Sequence, residues 1–241
     1  MPRLLVVLPT KNEAVVLEQS VRQLVAFLEK TTAPGEWRIS IADNGSTDAT
    51  MEIAGRLGQA DPRITSFHLS ESGRGRALAK AWSDADEEVL CYMDVDLSVD
   101  LRGLPYLFAE VKRGADVVYG SRFAPAAVVE RTLLREVLSR GYIFLAHALL
   151  GLKASDAQCG FKAITKQAWT RLAPEVRHTS WFFDTELLAR AERAGMQVRG
   201  IPVNWVELRD YRRKSTVKIV SSVRDFILAL LALRREFRQK G

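Results

Sequence analysis

The sequence predicts an α/β protein: a mostly parallel sheet with helices on its faces. Three observations predict it. Short, continuous apolar runs bounded by turn residues have the form of buried parallel strands. Segments of helical spacing alternate with those runs, as βαβ units with right-handed crossovers require. Polar clusters recur directly after the runs, where open α/β sheets bind ligands.

The first strand is residues 3–9, which include Leu4-Leu5-Val6-Val7-Leu8. Val16, Val21, Leu24, Val25 and Leu28 give residues 13–30 a helical period, and Pro34-Gly35 breaks it. Residues 37–43 are the second strand. Ser46 or Thr47 is the expected cap of a helix ending near Gly58. Residues 64–69 are the third strand, 76–84 a helix and 88–93 the fourth strand. Residues 101–113 are a helix and 116–121 the fifth strand. After Arg122 the rhythm changes. Residues 131–152 form one long helix, 161–164 a short strand and 184–194 a helix. Residues 198–206 are a last strand, placed at an edge because Pro202 cannot donate to a ladder. The expected organisation is one domain over residues 1–208, with halves 1–122 and 123–208, followed by a basic amphipathic tail over 209–241.

The chain has 241 residues, 47% hydrophobic and 27% charged, enough for one sizeable core. Its net charge of +6 favours anionic partners without choosing among them. Cys91 and Cys159 lie in apolar surroundings and lack disulfide or zinc spacing, so both are expected as buried free thiols. Met1-Pro2-Arg3 runs directly into a strand without a signal peptide, and no apolar run reaches the ~18–20 residues of a spanning helix. The expected location is cytoplasmic. Membrane contact is then peripheral, through the tail: Arg209, Arg212, Arg213, Lys214 and Lys218 precede an apolar segment that Arg234, Arg235, Arg238 and Lys240 follow. Nucleic acid is not an expected partner, because aromatic residues do not interleave the basic ones.

Asp94-Val95-Asp96 is the densest functional signal. Two carboxylates at i and i+2 where a strand ends share one side, and their mutual repulsion needs a cation or another counter-charge. Hard oxygen donors suit Mg²⁺ or Mn²⁺, which take one or two carboxylates plus substrate phosphates. Pro9-Thr10-Lys11-Asn12-Glu13, Asp43-Asn44-Gly45-Ser46-Thr47-Asp48 and Gly120-Ser121-Arg122 follow other strands. Each alone is compatible with turn and cap chemistry. Together on one edge they form a nucleotide-binding rim, where Asp43 could accept from a base N–H and Glu13 could hold its loop. Ser72-Gly73-Arg74-Gly75-Arg76 suits a diphosphate but lacks P-loop and dinucleotide-fold spacing.

These four rim motifs resemble those of the family 2 glycosyltransferases of GT-A fold. Residues 155–162 (Ser-Asp-Ala-Gln-Cys-Gly-Phe-Lys) and 181–188 (Trp-Phe-Phe-Asp-Thr-Glu-Leu-Leu) are similar to those of polyprenyl- and dolichyl-phosphate glucosyl- and mannosyltransferases, with the β-glucosyltransferase branch nearest. The resemblance spans roughly residues 3 to 235. It implies an inverting, metal-dependent hexosyltransferase using UDP-glucose or GDP-mannose and a polyprenyl phosphate. It implies that Pro9, Asn12, Glu13, Asp43 and Asp94 bind the donor, which Arg74 joins from its Gly/Arg loop, and that Asp94 and Asp96, with Ser98 or a water in its place, hold Mg²⁺ or Mn²⁺. Ser98 stands where some relatives carry Gln. Asp96, Arg122 and Asp156 would be catalytic, and Arg122, Arg131, Arg135 and Ser139 would receive the acceptor phosphate. Many relatives carry C-terminal spanning helices, so a separate membrane-anchoring protein is an implied partner. The competing expectations are the same fold with a soluble hydroxyl acceptor, served by Asp156, Asp184 or Glu186 as base, and a non-catalytic nucleotide or lipid-head-group binding module.

Overall fold

The computed structural model describes residues 3–33, 35–130, 132–206 and 219–239. A seven-stranded sheet forms its centre, in the order β3-β2-β1-β4-β7-β5-β8. The strands are β1 (Leu4–Thr10), β2 (Trp37–Asn44), β3 (Ile64–Leu69), β4 (Val89–Met93), β5 (Val117–Ser121), β7 (Phe161–Thr165) and β8 (Val198–Pro202). Every pair is parallel except those of β7, which is antiparallel to β4 and β5 alike. Two short strands, β6 (Val128–Glu130) and β9 (Asn204–Val206), pair separately. Pro202 closes β8, which lies at the sheet edge as its missing N–H requires. The expected single strand over 198–206 is therefore two.

Alternation along each strand feeds two cores. Leu5, Val7, Leu90 and Tyr92 point to one face, under α3 (Arg74–Asp84), α5 (Leu133–Leu150), α6 (Lys166–Leu172), α7 (Phe183–Arg193) and α8 (Ile219–Gln239). Leu4, Val6, Leu8, Cys91 and Met93 point to the other, under α1 (Leu17–Thr31), α2 (Thr50–Ala60) and α4 (Gly103–Lys112). Burial on both faces is why these strands are continuously apolar. Cys91 and Cys159 are buried free thiols, and burial pushes the Cys159 thiol up to about 12.

Several boundaries differ from expectation, and one helix is new. α1 begins at Leu17 rather than Glu13, since Glu13 shapes a turn whose carbonyl accepts from the Val16 and Leu17 N–H groups. α2 begins at Thr50 and runs through Gly58, because Ser46 spends its hydroxyl on Asp43 instead of capping. α3 opens at Arg74 instead of Arg76. Thr165 caps the unforeseen α6 by accepting from the Ala168 N–H at 3.1 Å.

After β3 the chain crosses back past β1 to lay down β4 on the opposite side. The switch point between β1 and β4 opens beyond their carboxyl ends, where an open α/β sheet offers its binding crevice. Thr10 and Asp94 sit there. Among the described residues no helix is long and apolar enough to cross a membrane. The end of α8 is part of the fold: Leu230, Leu233 and Phe237 are buried in the core beneath α5 and α7.

Candidate functional site

The loops after β1 and β2 are stitched together. Asn12 adopts φ 56°, a left-handed conformation that Asn tolerates. There its N–H donates to Ser46 Oγ at 2.8 Å, and its Oδ1 accepts from the Thr47 N–H at 2.8 Å. The Glu13 N–H donates to Thr50 Oγ1 at 2.9 Å. Pro9 is half-buried in β1, in register with Ala42. Asp43 is fully buried. It accepts from the Ser46 N–H at 3.2 Å and from the Ser46 hydroxyl, and its Oδ2 lies 2.6 Å from His68 Nδ1. His68, half exposed, is thus the one imidazole at this rim, and sequence reasoning missed it.

Asp94 leaves β4 with its N–H donated to the Gly160 carbonyl at 3.1 Å. Its carboxylate lies over the Gly160 α-carbon, in space that any side chain there would occupy. Leu97, three residues on, has φ 53°. A bulky residue in that region is strained, and such strain concentrates at functional turns. Asp96 faces the same opening, with Oδ1 accepting from the Ser98 N–H at 3.1 Å and its hydroxyl at 2.8 Å.

Arg74 binds Asp94 from the first turn of α3. Its Nη2 is 2.8 Å from Asp94 Oδ1. The distance makes an ion pair, but the orientation falls short of a hydrogen bond, leaving Nε and Nη2 buried without hydrogen-bond partners. The guanidinium lies over the rings of Tyr92, at 5.1 Å, and Trp181, at 4.8 Å. Only 8% of Arg74 is exposed. Buried donors without acceptors are costly, and an anionic ligand would relieve them. Burial pushes the Asp94 carboxyl up; Arg74 opposes the shift, and Asp96 and Asp184 add to it. A cation between the carboxylates would reverse that direction. Among the described residues no cluster of three or more His, Cys, Asp or Glu could hold a metal. Two carboxylates with the Ser98 hydroxyl still fit a Mg²⁺ or Mn²⁺ that completes its shell with phosphate oxygens.

Arg122, at the end of β5, is fixed by Asp156. Its Nε lies 2.7 Å from Oδ2 and its Nη2 3.0 Å from Oδ1, a bidentate pair. Asp156 also accepts from the N–H groups of Arg122, Gln158 and Cys159 at 3.0–3.1 Å. Burial pushes its carboxyl up, but the Arg122 charge and hydrogen bonds outweigh burial and hold it below the usual carboxylate range. An acid so fully engaged is a poor proton acceptor. The geometry gives Asp156 the work of aiming Arg122, not that of a base. Asp94 contributes to the field that keeps Arg122 protonated, so the two lie on one electrostatic surface.

Beneath them, Lys162 is fully buried. It donates to the Cys159 carbonyl at 2.7 Å and lies 3.1 Å from Asp184 Oδ1, which also accepts from the Tyr92 hydroxyl. Glu186 pairs with Arg190 at 2.7 Å and accepts from the Arg177 and His178 N–H groups. Asp184 and Glu186 therefore tie α7 to the sheet and to the preceding loop. Arg135, exposed, and Ser139, half-buried, lie one turn apart on α5. Arg131 lies outside the described residues, as do the tail cations from Arg209 to Lys218.

The rim therefore brings Asn12, Glu13 and Asp43 into one hydrogen-bonded group and Arg74, Asp94 and Asp96 into a second, with Arg122 and Asp156 beside it. Gly160 and Lys162 went unrecognised as parts of the site. Their signal was the Cys-Gly-Phe-Lys run, but its meaning depends on β7 pairing with β4.

Comparison with known proteins follows the same lines. The sequence profile described as "Glycosyl transferase family 2" matches residues 5–172. Glycosyltransferase AglD of Haloferax volcanii is 41% identical over 202 residues, covering 83% of this chain and 32% of its own length. Dolichyl-phosphate beta-glucosyltransferase ALG5C of Trichomonas vaginalis is 29% identical, covering 86% of this chain and 65% of its own. The Saccharomyces cerevisiae dolichyl-phosphate beta-glucosyltransferase is 25% identical over 94% of this chain and 74% of its own. The chain thus spans a third of the first relative and just under two thirds of the second. Among solved structures, glucosyl-3-phosphoglycerate synthase from Mycobacterium tuberculosis, in complex with Mn²⁺, UDP and phosphoglyceric acid, superposes with TM-score 0.67 at 18% identity, over 97% of this chain and 78% of that one. That likeness is one of GT-A fold.

Proposed function

Since the chain belongs to glycosyl transferase family 2 and carries its GT-A domain, we propose that it transfers a hexose, glucose or mannose, from a nucleotide sugar to a polyprenyl phosphate, with a divalent cation and inversion at the anomeric carbon. The observation that carries this reading is the buried Arg74, ion-paired to Asp94 with Nε and Nη2 lacking hydrogen-bond partners, beside the Asp94–Asp96 pair. A buried guanidinium beside two carboxylates at the switch point supports a site for a metal-bound diphosphate.

Pro9, Asn12, Glu13 and Asp43 line the base and ribose, and Asp43 exchanges one of its internal donors for a base N–H. Arg74 and Asp94 face the diphosphate and the sugar. Asp94 and Asp96, with Ser98 or a water beside them, would hold Mg²⁺ or Mn²⁺, which would neutralise the charge that develops on the leaving diphosphate. Arg122 contributes the same from the protein side. With Nε and Nη2 spent on Asp156, it presents Nη1 towards the transferring group. Arg135 and Ser139, with Arg131, receive the acceptor phosphate. A phosphate oxygen is already anionic at neutral pH, so it needs position rather than a base. It forms the new bond to the anomeric carbon as the bond from that carbon to the diphosphate oxygen breaks on the opposite side. The names of the ALG5C and yeast relatives support a dolichyl-type phosphate and glucose. Peripheral attachment at the cytoplasmic face, with a separate membrane anchor, fits the same chemistry.

A soluble phosphorylated acceptor is the second reading, because the glucosyl-3-phosphoglycerate synthase structures contain phosphoglyceric acid. Incubating the chain with labelled UDP-glucose or GDP-mannose, Mg²⁺ and polyprenyl phosphate tests the first reading. Label is expected in the organic phase, and Arg135→Ala should reduce it. Turnover of a soluble acceptor, indifferent to Arg135→Ala, would favour the second. Donor binding with no turnover of any acceptor would leave a binding module.

A further inference from the structure

Thr10, Asp43 and His68 form one row across β1, β2 and β3. Thr10 is in parallel register with Asp43, and Asp43 with His68, so the three side chains leave the sheet on one face. Asp43 is fully buried between its neighbours, whereas the His68 side chain is 44% exposed. His68 Nδ1 lies 2.6 Å from Asp43 Oδ2. A carboxylate only accepts, so Nδ1 carries the proton and the tautomer is set. Oδ2 also accepts from the Ser46 N–H at 3.2 Å. Oδ1 accepts from the Ser46 hydroxyl and, at 3.5 Å, from the Thr10 hydroxyl. A carboxylate offers about four lone-pair sites. The one facing Thr10 is held by the longest of these contacts, and Thr10 closes β1 at the switch point.

We propose that His68 is a positioning residue for the nucleotide base of the donor, acting through Asp43. It holds Oδ2 from the β3 side, at the sheet edge, and so leaves the Oδ1 site on the β1 side for a base N–H, which replaces the long Thr10 contact. This role rests on the proposed donor site. Ser46 cannot substitute for the imidazole, because its place is set by the loop: its Oγ accepts from the Asn12 N–H at 2.8 Å while its own two donors already serve Asp43. Removing the imidazole leaves a buried carboxylate oxygen one donor short, which is costly. The carboxylate is expected to recover by drawing the Thr10 hydroxyl closer. That fills the site the base needs. His68 touches neither the diphosphate nor the transferring group in this scheme, so its loss falls on recognition of the base.

The test is calorimetric titration of the full chain with UDP, GDP and pyrophosphate, each with Mg²⁺. His68→Leu should bind the nucleotide that the parent prefers about tenfold more weakly, the scale of one hydrogen bond to a charged group. His68→Asn sets an amide N–H near the place of Nδ1 and should restore the affinity. Pyrophosphate has no base and should treat parent and variants alike. If His68→Leu does not fold, His68→Asn against His68→Gln decides, because the glutamine amide sits near the place of Nε2 and should not restore binding. The inference is overturned if the Leu variant, or the Gln variant in its stead, binds nucleotide like the parent. It is also overturned if Asn restores nothing, or if pyrophosphate binding weakens to the same degree. A parent that binds neither UDP nor GDP overturns the donor site itself, and the role of His68 with it.

Discussion

Replacing Gly160 by alanine would set a methyl group where the Asp94 carboxylate lies. An ideal Cβ there falls 2.0 Å from Asp94 Oδ2, 2.4 Å from Cγ and 2.6 Å from Oδ1. Carbon–oxygen contacts settle at about 3.3 Å or more, so the carboxylate must retreat by roughly 1 Å. The backbones cannot part instead, because the Asp94 N–H is bonded to the Gly160 carbonyl and Met93 is in register with Phe161. Rotating the side chain weakens the 2.8 Å contact with Arg74, stretching it towards the ~4 Å limit of an ion pair. The weakened interaction is worth about 1.5–3 kcal/mol, between the ~0–1 kcal/mol of an exposed ion pair and the ~3–5 kcal/mol of a buried pair that loses one partner. For a chain of this size that lowers Tm by roughly 3–12 °C, so the fold survives. A reacting group displaced by about 1 Å costs on the order of 10²-fold in rate. Gly160→Ala should therefore lower kcat/KM about a hundredfold and remove the rise in Tm that donor plus Mg²⁺ gives the parent. Turnover within about threefold of the parent, with a normal donor-induced rise, would refute the placement of Asp94 over Gly160.

Asp96→Ala should abolish Mg²⁺-dependent donor binding in a thermal-shift titration while leaving the Tm of the unliganded chain nearly unchanged, since its carboxylate is only half-buried. Asp156→Ala strands the buried Arg122 guanidinium and should cost about 3–5 kcal/mol in urea unfolding. The folded-state pKa of Asp156 lies below its ordinary value. Its contribution is therefore complete above about pH 4 and lost as pH falls through the folded pKa, and Asp156→Asn should flatten that acid limb of the stability curve. Leu230→Ala opens a cavity under α8 and should destabilise the whole domain by about 2–5 kcal/mol in a single transition. A chain that unfolds as before would mean that α8 adds nothing to the core.

The strands were legible because a strand buried on both faces leaves an unbroken apolar run, as in Leu4–Leu8 and Val89–Met93. Their order was not. The hydrophobic pattern of β7 carries no mark of its antiparallel insertion between β4 and β5, and that insertion brings Gly160 beneath Asp94 and Lys162 beside Asp184. The start of α2 was misplaced because Ser46 is a cap-forming residue whose hydroxyl found a buried carboxylate instead. Helix α6 spans seven residues, too few for a period to show, although Thr165 was in place to cap it. The rim residues were readable as types in sequence. The contact of Arg74, at the start of α3, with Asp94, just past the end of the following strand β4, was not. Asp156 has the chemistry of a base in the sequence and the hydrogen bonding of an anchor in the structure.

The most direct test of the central claim is a comparison of acceptors at fixed donor and Mg²⁺: polyprenyl phosphate, the same polyprenol without its phosphate, and phosphoglyceric acid. Transfer guided by Arg122, Arg135 and Ser139 to an acceptor phosphate should label polyprenyl phosphate alone, with the sugar inverted relative to the donor. Equal labelling of the free polyprenol, or labelling confined to phosphoglyceric acid, would contradict it.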